Sequence, residues 1–396
     1  MKITAKINTF LHKPFFSDYR TLFGLWLLLP LIAGLLKISK HNNFLIFKYV
    51  YWHTIEQLSL YESYPDCYQD VNHYGPLFSL IIAPFAVIPT PLGVTLWGVV
   101  MSLLLYYSIR VLPLERQKHI FIYWFCAHEL LTALFMSQFN IVIAAIIIAT
   151  FYCIKKEKDI WATLFILIGT FVKLYGIVGL AFFFFSKHKI KFILSFIGWS
   201  VVLFIAPMAI SSPEYIIGQY QEWFACLFEK NEENMFSLYQ NVSLLGIIRK
   251  VSHSASYSDW GIILSGLVLF ALPYLRTKQY KFEAFQYALL ASVMLFVVLF
   301  STGSESSSYI IALVGVCIWY VTAPWKRSRW DVALMIFAFI ITSMSPSDLF
   351  PKSIRQTLIQ PYALKALPCA VIWLKLCWEI CTRDYSSQKR LRKSHE

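Results

Sequence analysis

Uninterrupted apolar runs constrain this chain more than any other feature. Ile141 to Ile148 carries no polar atom in eight side chains, and Ala181 to Phe185 is an alanine followed by four phenylalanines. A helix at a water interface keeps a polar stripe, whereas these segments are apolar all round and need either full burial or lipid. Such segments recur at about 21–38, 76–110, 119–136, 139–154, 160–173, 175–186, 190–210, 259–275, 283–301, 308–323, 330–345 and 361–380. With 58% apolar and 14% charged residues, against roughly 25% charged in an ordinary soluble domain, a water-soluble fold of 396 residues cannot hide them. The chain reads as an all-α polytopic membrane protein, one integral domain over 1–396 with about 12 crossings. Several segments fall short of the ~20 residues that a perpendicular helix needs, so tilted or broken helices are expected. The run at 76–110 carries Pro84, Pro89 and Pro91, and its first part is expected to dip in and return.

The net charge of +13 looks at first like a nucleic-acid signal. With the N-terminus placed in the cytoplasm, 24 Lys and Arg fall on the inside and 8 outside. Lys173, Lys365 and Lys375 remain at or within apolar segments. That bias follows the positive-inside rule, puts both termini in the cytoplasm and removes nucleic acid as a partner. Residues 1–20 are basic and mixed and lack a cleavage pattern, so the first helix reads as uncleaved. Cys67 and Cys226 are the two outside cysteines; a bridge between them is conceivable, and buried thiols are the favoured reading.

Outside loops at 39–75, 211–258 and 346–360 hold most of the soluble chain, and the basic tail spans 383–396. In the first loop, apolar residues at 44, 47, 51, 55 and 58 predict an amphipathic helix on the membrane surface, with Lys48, His53 and Glu56 on its polar side. Tyr61, Asp70, His73 and Tyr74 follow in an irregular stretch. Three polar islands reach the same face: Ser137-Gln138-Phe139-Asn140, Lys173-Leu174-Tyr175-Gly176, and the run from Ser301 to Tyr309 that carries Glu305. A lysine at the depth of Lys173 is expensive unless it meets an anion or a carboxylate. Together the islands predict an outward-facing polar cavity with a cation near the membrane boundary. His128-Glu129 reads as an interhelical contact, and Asn241-Val242-Ser243 matches a glycosylation sequon only weakly.

The order of these islands resembles the polyprenyl-phosphate-dependent glycosyltransferases of family 87, in the GT-C class, typified by mannosyltransferases of cell-envelope glycolipids. The family's Asp-Phe at the start of the first outer loop corresponds to Asn43-Phe44, and its Tyr-Pro-Pro-Leu turn to Tyr74-Gly75-Pro76-Leu77. Its Gly-Gln-x-Asn corresponds to Ser137-Gln138-Phe139-Asn140, and its Lys-x-Tyr-Pro element to Lys173-Leu174-Tyr175-Gly176. Its Asn-x-Ser followed by Gly corresponds to Asn241-Val242-Ser243 and Gly246, and a late Ser-Pro-x-Ser-Trp-Asp-His element matches only in position, at Ser301 to Glu305. The likeness runs in order over about 40–310. It implies a GT-C-type bundle in a bacterial inner membrane, with the site on the outer face.

It also implies transfer of one sugar, mannose or a similar hexose or pentose, from a polyprenyl monophosphate donor to a hydroxyl of a lipid-linked or envelope glycan. The outcome would be inversion. Asn43 stands where the family's base is an Asp, and an amide takes no proton at neutral pH. The candidate bases are therefore Glu56, Asp70 and Glu305, with His73 behind them. Lys173, with Arg249 or Lys48, would meet the leaving phosphate. Asn43, His53, Tyr61, Tyr74, Gln138, Asn140, Tyr175, Asn241 and Ser243 would bind substrate. A monophosphate leaving group needs no divalent ion, so no cofactor or metal is expected. The alternatives are a transporter or flippase of a lipid-linked sugar, or an inactive relative that binds polyprenyl phosphate. The absence of internal repeats and the gathering of polar islands on one face count against a transporter.

Overall fold

The computed structural model describes residues 13–36, 41–254 and 256–387, so Lys2, Lys6 and the basic residues beyond 387 lie outside the described residues. Among the described residues the regular structure is helical throughout. In chain order the main helices are α1 (Tyr19–Leu36), α2 (Asn42–Glu56), α3 (Phe78–Ala86), α4 (Thr90–Arg110), α5 (Arg116–Phe135), α6 (Asn140–Lys155) and α7 (Asp159–Lys173). A 3-10 helix, Tyr175–Phe185, precedes α8 (Lys189–Ile205), α9 (Pro213–Glu233), α10 (Leu244–Ser252) and α11 (Trp260–Ala271). The last four are α12 (Glu283–Leu299), α13 (Tyr309–Thr322), α14 (Arg329–Phe337), which continues as a π-helix to Met344, and α15 (Leu367–Thr382).

Burial sorts these helices as their composition requires. Nearly every residue of α6, α12 and α13 is buried, so the segments with no polar stripe form the centre of the bundle. Only Phe192 of α8 and Gly266 of α11 are buried, and Ile190, Leu194 and Leu264 point outward. Apolar helices with apolar outer surfaces need lipid around them, so this is a membrane protein. Three stretches among the described residues are long and apolar enough to cross alone: Tyr19–Leu36, Thr90–Arg110 and Lys189–Ala209. The other apolar helices, of 10–17 residues, are shorter than an ~20-residue perpendicular span, and a count of twelve crossings does not follow from these lengths. The run at 76–110 breaks at Pro89 and Pro91, whereas Pro84 sits inside α3. The nine residues of α3 rise only ~13 Å, and the 21 of α4 are long enough to span.

The basic turns gather at one end of the bundle. Arg116 donates to Ser17 O, Lys155 pairs with Glu283, Lys187 pairs with Glu157, and Gln279 bonds Asp384. The polar islands meet one another at the other end.

Candidate active site

The site begins with tight turns between helices. After α5 the chain reverses through Ser137, which adopts φ 54°, and α6 starts at Asn140. Ser137 occupies the position of the family's Gly, and that left-handed backbone is why Gly suits it. The indole of Trp97 donates to Ser137 O at 2.8 Å and pins the turn. After α7 the chain turns at Leu174, φ 52°, so Lys173 ends one helix and Tyr175 opens the next. Gly75 lets the 72–77 strip press onto this turn: its N–H donates to Val172 O at 3.0 Å, and a Cβ there would lie 2.1 Å from Phe171 O. Tyr74 is thereby held beside Lys173, whose Nζ is 5.8 Å from the Tyr74 ring centre and 5.0 Å from that of Tyr175.

A continuous hydrogen-bonded relay crosses these turns. Lys173 Nζ donates to Asn140 Oδ1 at 2.7 Å, and Asn140 Nδ2 donates to Gln138 Oε1 at 2.9 Å. Gln138 Nε2 then donates to Glu305 Oε2 at 2.6 Å. The charged ends dictate both amide orientations, because a lysine only donates and a carboxylate only accepts. Ser307 braces the middle, donating to Gln138 Oε1 and accepting from Asn140 Nδ2. Tyr175 OH lies 2.9 Å from Ser301 Oγ, and Phe139 N donates to Tyr74 OH at 3.0 Å.

These groups open into a cavity of about 760 Å³, also lined by Asn43, Asp70, His73 and Arg249. Of the expected site residues it thus gathers Asn43, Asp70, His73, Tyr74, Gln138, Lys173, Tyr175, Arg249 and Glu305, with Asn140 buried directly behind. Asp70 is exposed at the rim. Burial, with the Lys230 charge second, holds the His73 imidazole down at about 4, and its Nδ1 lies 3.3 Å from Cys226 Sγ. Burial pushes the Cys226 thiol up to about 11. Cys67 and Cys226 are both free thiols.

Other expected residues take structural positions. Lys48 Nζ donates to Ile88 O and Thr90 Oγ1, and Glu56 is exposed at the end of α2, outside the cavity. His53 does not share a polar face with Glu56 as the spacing predicts. It is buried among rings, 4.2 Å from that of Tyr64, and burial lowers its pKa. The folded 57–77 strip supplies Tyr64 and Tyr68 over α2, so α2 buries Phe44, Phe47, Val50 and Thr54 and leaves Ile55 exposed. Tyr61 OH donates to Tyr74 O, bracing the strip without lining the cavity.

Asn241 and Ser243 are fully buried and form a helix cap. Ser243 Oγ donates to Asn241 Oδ1 and accepts from Gly246 N, and a Cβ on Gly246 would sit 1.7 Å from Asn241 O. The Asn-x-Ser…Gly pattern is therefore architecture, and burial closes it as a glycan acceptor. Arg249 reaches the cavity with both Nη atoms engaged, at 2.7 Å from Asp259 and on the carbonyls of Ser254 and Tyr257.

Sequence reasoning missed two sets of residues. Lys230, Asn234, Tyr257 and Asp259 also line the cavity: Lys230 lies near the end of α9 and Asn234 caps it, while Tyr257 and Asp259 stand in the irregular stretch before α11, where no periodic signal singles them out. Lys365, left unassigned, pairs with Glu129 at 2.8 Å and donates to Ser306 O and Oγ, directly beside Glu305. Glu129 thus makes an interhelical contact, with Lys365, while His128 turns to Ser343 Oγ. Among the described residues, no three His, Cys, Asp or Glu side chains are placed to hold a metal ion.

The turns that carry Tyr74, Gln138, Lys173 and Ser243 fall inside the match to the family model for glycosyltransferase family 87, which covers residues 72–302, more than half of the chain. The chain belongs to glycosyltransferase family 87. No curated protein matches it. Membership makes the polar cavity of this family 87 protein the place to look for glycosyl transfer, and it leaves donor, acceptor and sugar to the chemistry of the lining residues.

Proposed function

We propose that this chain moves one sugar from a polyprenyl monophosphate donor to a hydroxyl of a lipid-linked or envelope glycan, on the outer face of the membrane, with both termini in the cytoplasm. The observation that carries this reading is the relay with a cation at one end and a carboxylate at the other, both opening into one cavity. Glu305 takes the proton of the acceptor hydroxyl as its oxygen attacks the anomeric carbon. The bond from that carbon to the phosphate oxygen breaks, and polyprenyl monophosphate leaves with the electron pair. Lys173 has no carboxylate within 4 Å among the described residues, so its charge is available to the phosphate. A single displacement of this kind inverts the anomeric centre.

A wall of Ile177, Ile263, Phe296 and Phe300 continues the cavity toward the lipid-facing side and suits the prenyl chain. The test is turnover of the purified full chain in lipid nanodiscs with a panel of undecaprenyl-phosphate hexoses and pentoses. Glu305→Gln should lose about 10²–10⁴-fold, the usual worth of a placed general base, while Glu56→Gln keeps wild-type turnover. Full turnover by Glu305→Gln would remove Glu305 as the base. Passage of intact lipid-linked sugar across proteoliposomes, without transfer, would favour the transporter.

A further inference from the structure

Helix α9, in the loop 211–258, carries two apolar faces, and the bundle covers only one of them. Ile216, Tyr220 and Trp223 are buried, and Leu227 packs beside them. Ile217, Phe224 and Phe228 are 44%, 52% and 76% exposed. At ~100° per residue these three fall within about 40° of one another, directly beside the covered face, while the exposed Glu222 and Glu229 lie about 120–140° round from Ile217. A contiguous apolar stripe left outside the fold marks an interaction surface.

The depth of the helix says what covers the stripe. The lipid-exposed stretch Lys189–Ala209 has 21 residues, which rise ~30 Å, the thickness of the hydrocarbon layer. Helix α9 begins soon after it, at Pro213, and turns back against it: the Tyr220 ring stacks on that of Phe204 with centres 4.6 Å apart, and Met208 packs on the same face. Phe204 lies about a turn and a half before the end of the stretch, ~7 Å inside it. That is the depth, ~5–10 Å into the boundary of headgroups and acyl chains, at which amphipathic interfacial helices bury their apolar face. Helix α10 in the same loop is also turned inside out for water. Its Arg249 and Lys250 are buried, on Asp259 and on Gln240 O, while Ile248 and Val251 are exposed. A second copy of the chain fits the stripe less well: three side chains, even at ~250 Å² each, do not reach the ~800 Å² per partner of a stable protein interface. We infer that α9 is an interfacial helix whose stripe of Ile217, Phe224 and Phe228 lies among the acyl chains of the surrounding lipid, with its carboxylate edge in water. Lys230, Asn231 and Asn234, at the end of this helix, line the cavity, so the anchored helix fixes one side of the cavity mouth at the depth of the lipid headgroups. The inference stands whether or not the chain transfers a sugar.

The test is a nitroxide spin label on Phe224→Cys, Phe228→Cys and Glu229→Cys of the full chain in nanodiscs, with the labelled wild-type chain as background. All three side chains are exposed, so the substitutions leave the packing intact. Collisions are measured with oxygen, which concentrates among acyl chains, and with a neutral nickel chelate, which stays in water. At Phe224→Cys and Phe228→Cys the oxygen collisions should exceed those with the chelate severalfold. At Glu229→Cys, the next residue and ~100° round the helix, the chelate should dominate. Frequent chelate collisions at Phe224→Cys and Phe228→Cys would place the stripe in water. Few collisions with either reagent would place it against protein, a second copy included. Each of those two results overturns the inference.

Discussion

Gln138→Glu is the most direct test of the relay, because it changes one atom type and reverses one contact. In the native chain Gln138 Nε2 donates to Glu305 Oε2 at 2.6 Å. The variant puts a carboxylate oxygen in place of that donor. Two unit negative charges at 2.6 Å repel by about 6 kcal/mol at an effective dielectric of 20, and water reaching the half-buried Glu305 reduces this to a few kcal/mol. That is enough to make the two carboxyls share one proton at neutral pH, as like-charged neighbours do. The shared proton occupies the base, so kcat/KM at pH 7 should fall by roughly 10²-fold, within the range for losing a general base.

The loss should be partly recovered as pH rises and the shared proton leaves, moving the acid limb of the pH–rate profile upward. Gln138→Ala separates charge from contact. It removes the hydrogen bond to Glu305 and the two accepted from Asn140 and Ser307, each worth about 1 kcal/mol, so it should cost at most roughly 10²-fold and leave the acid limb in place. The assay is kcat/KM against pH for both variants, with the donor that wild type turns over. A Gln138→Glu profile whose acid limb lies where that of Gln138→Ala lies would refute the placement of the proton on Glu305.

Lys365→Met leaves Glu129 buried without its ion partner and should destabilise the fold by about 3–5 kcal/mol, while Glu129→Gln with Lys365→Met should return close to wild type; thermal unfolding in detergent distinguishes the two. Gly246→Ala should destabilise by more than about 2 kcal/mol, because the new Cβ meets Asn241 O at 1.7 Å, and Ser243→Ala by about 1 kcal/mol for the lost cap; the same unfolding measurement reads both. His73 is held neutral in the fold down to about 4, against 6.5 for a free imidazole. The unfolded chain therefore binds more protons between pH 4 and 6.5, and stability rises with pH across that window by at most about 3 kcal/mol. His73→Gln should flatten the slope between pH 4.5 and 7 in urea unfolding.

Much of the fold was legible because lipid-facing helices announce themselves by continuous apolarity. The segment 139–154 is realised as Asn140–Lys155, 160–173 as Asp159–Lys173, and 283–301 as Glu283–Leu299. The relay was legible in part, since Gln138, Asn140 and Lys173 are polar residues at hairpin tips where nothing structural asks for them. Long-range pairing was not. Lys365 meets Glu129 across 236 positions, and no local pattern couples them. The period of α2 was readable and its orientation was not, because the strip that covers His53 has no regular pattern of its own. The Asn241 motif shows the opposite hazard: its residue types suit sugar binding, yet their polar groups are spent on a helix cap.

Asn43 raises the remaining question, since an amide stands where the family carries an acid. Its Nδ2 donates to Met136 O at 2.8 Å, on the turn that presents Gln138. An ionised aspartate there would face a carbonyl oxygen at the same distance with no proton between them, and would push on the turn it now holds. Asn43→Asp should therefore lower turnover instead of restoring a family base, whereas Asn43→Ala, which removes the strut without adding repulsion, should cost less. Turnover of the two variants relative to wild type decides it. An Asn43→Asp chain faster than wild type would return the base to the first loop and reduce Glu305 to a residue that orients Gln138. A slower one leaves the carboxylate at the end of the relay as the base that fits the geometry.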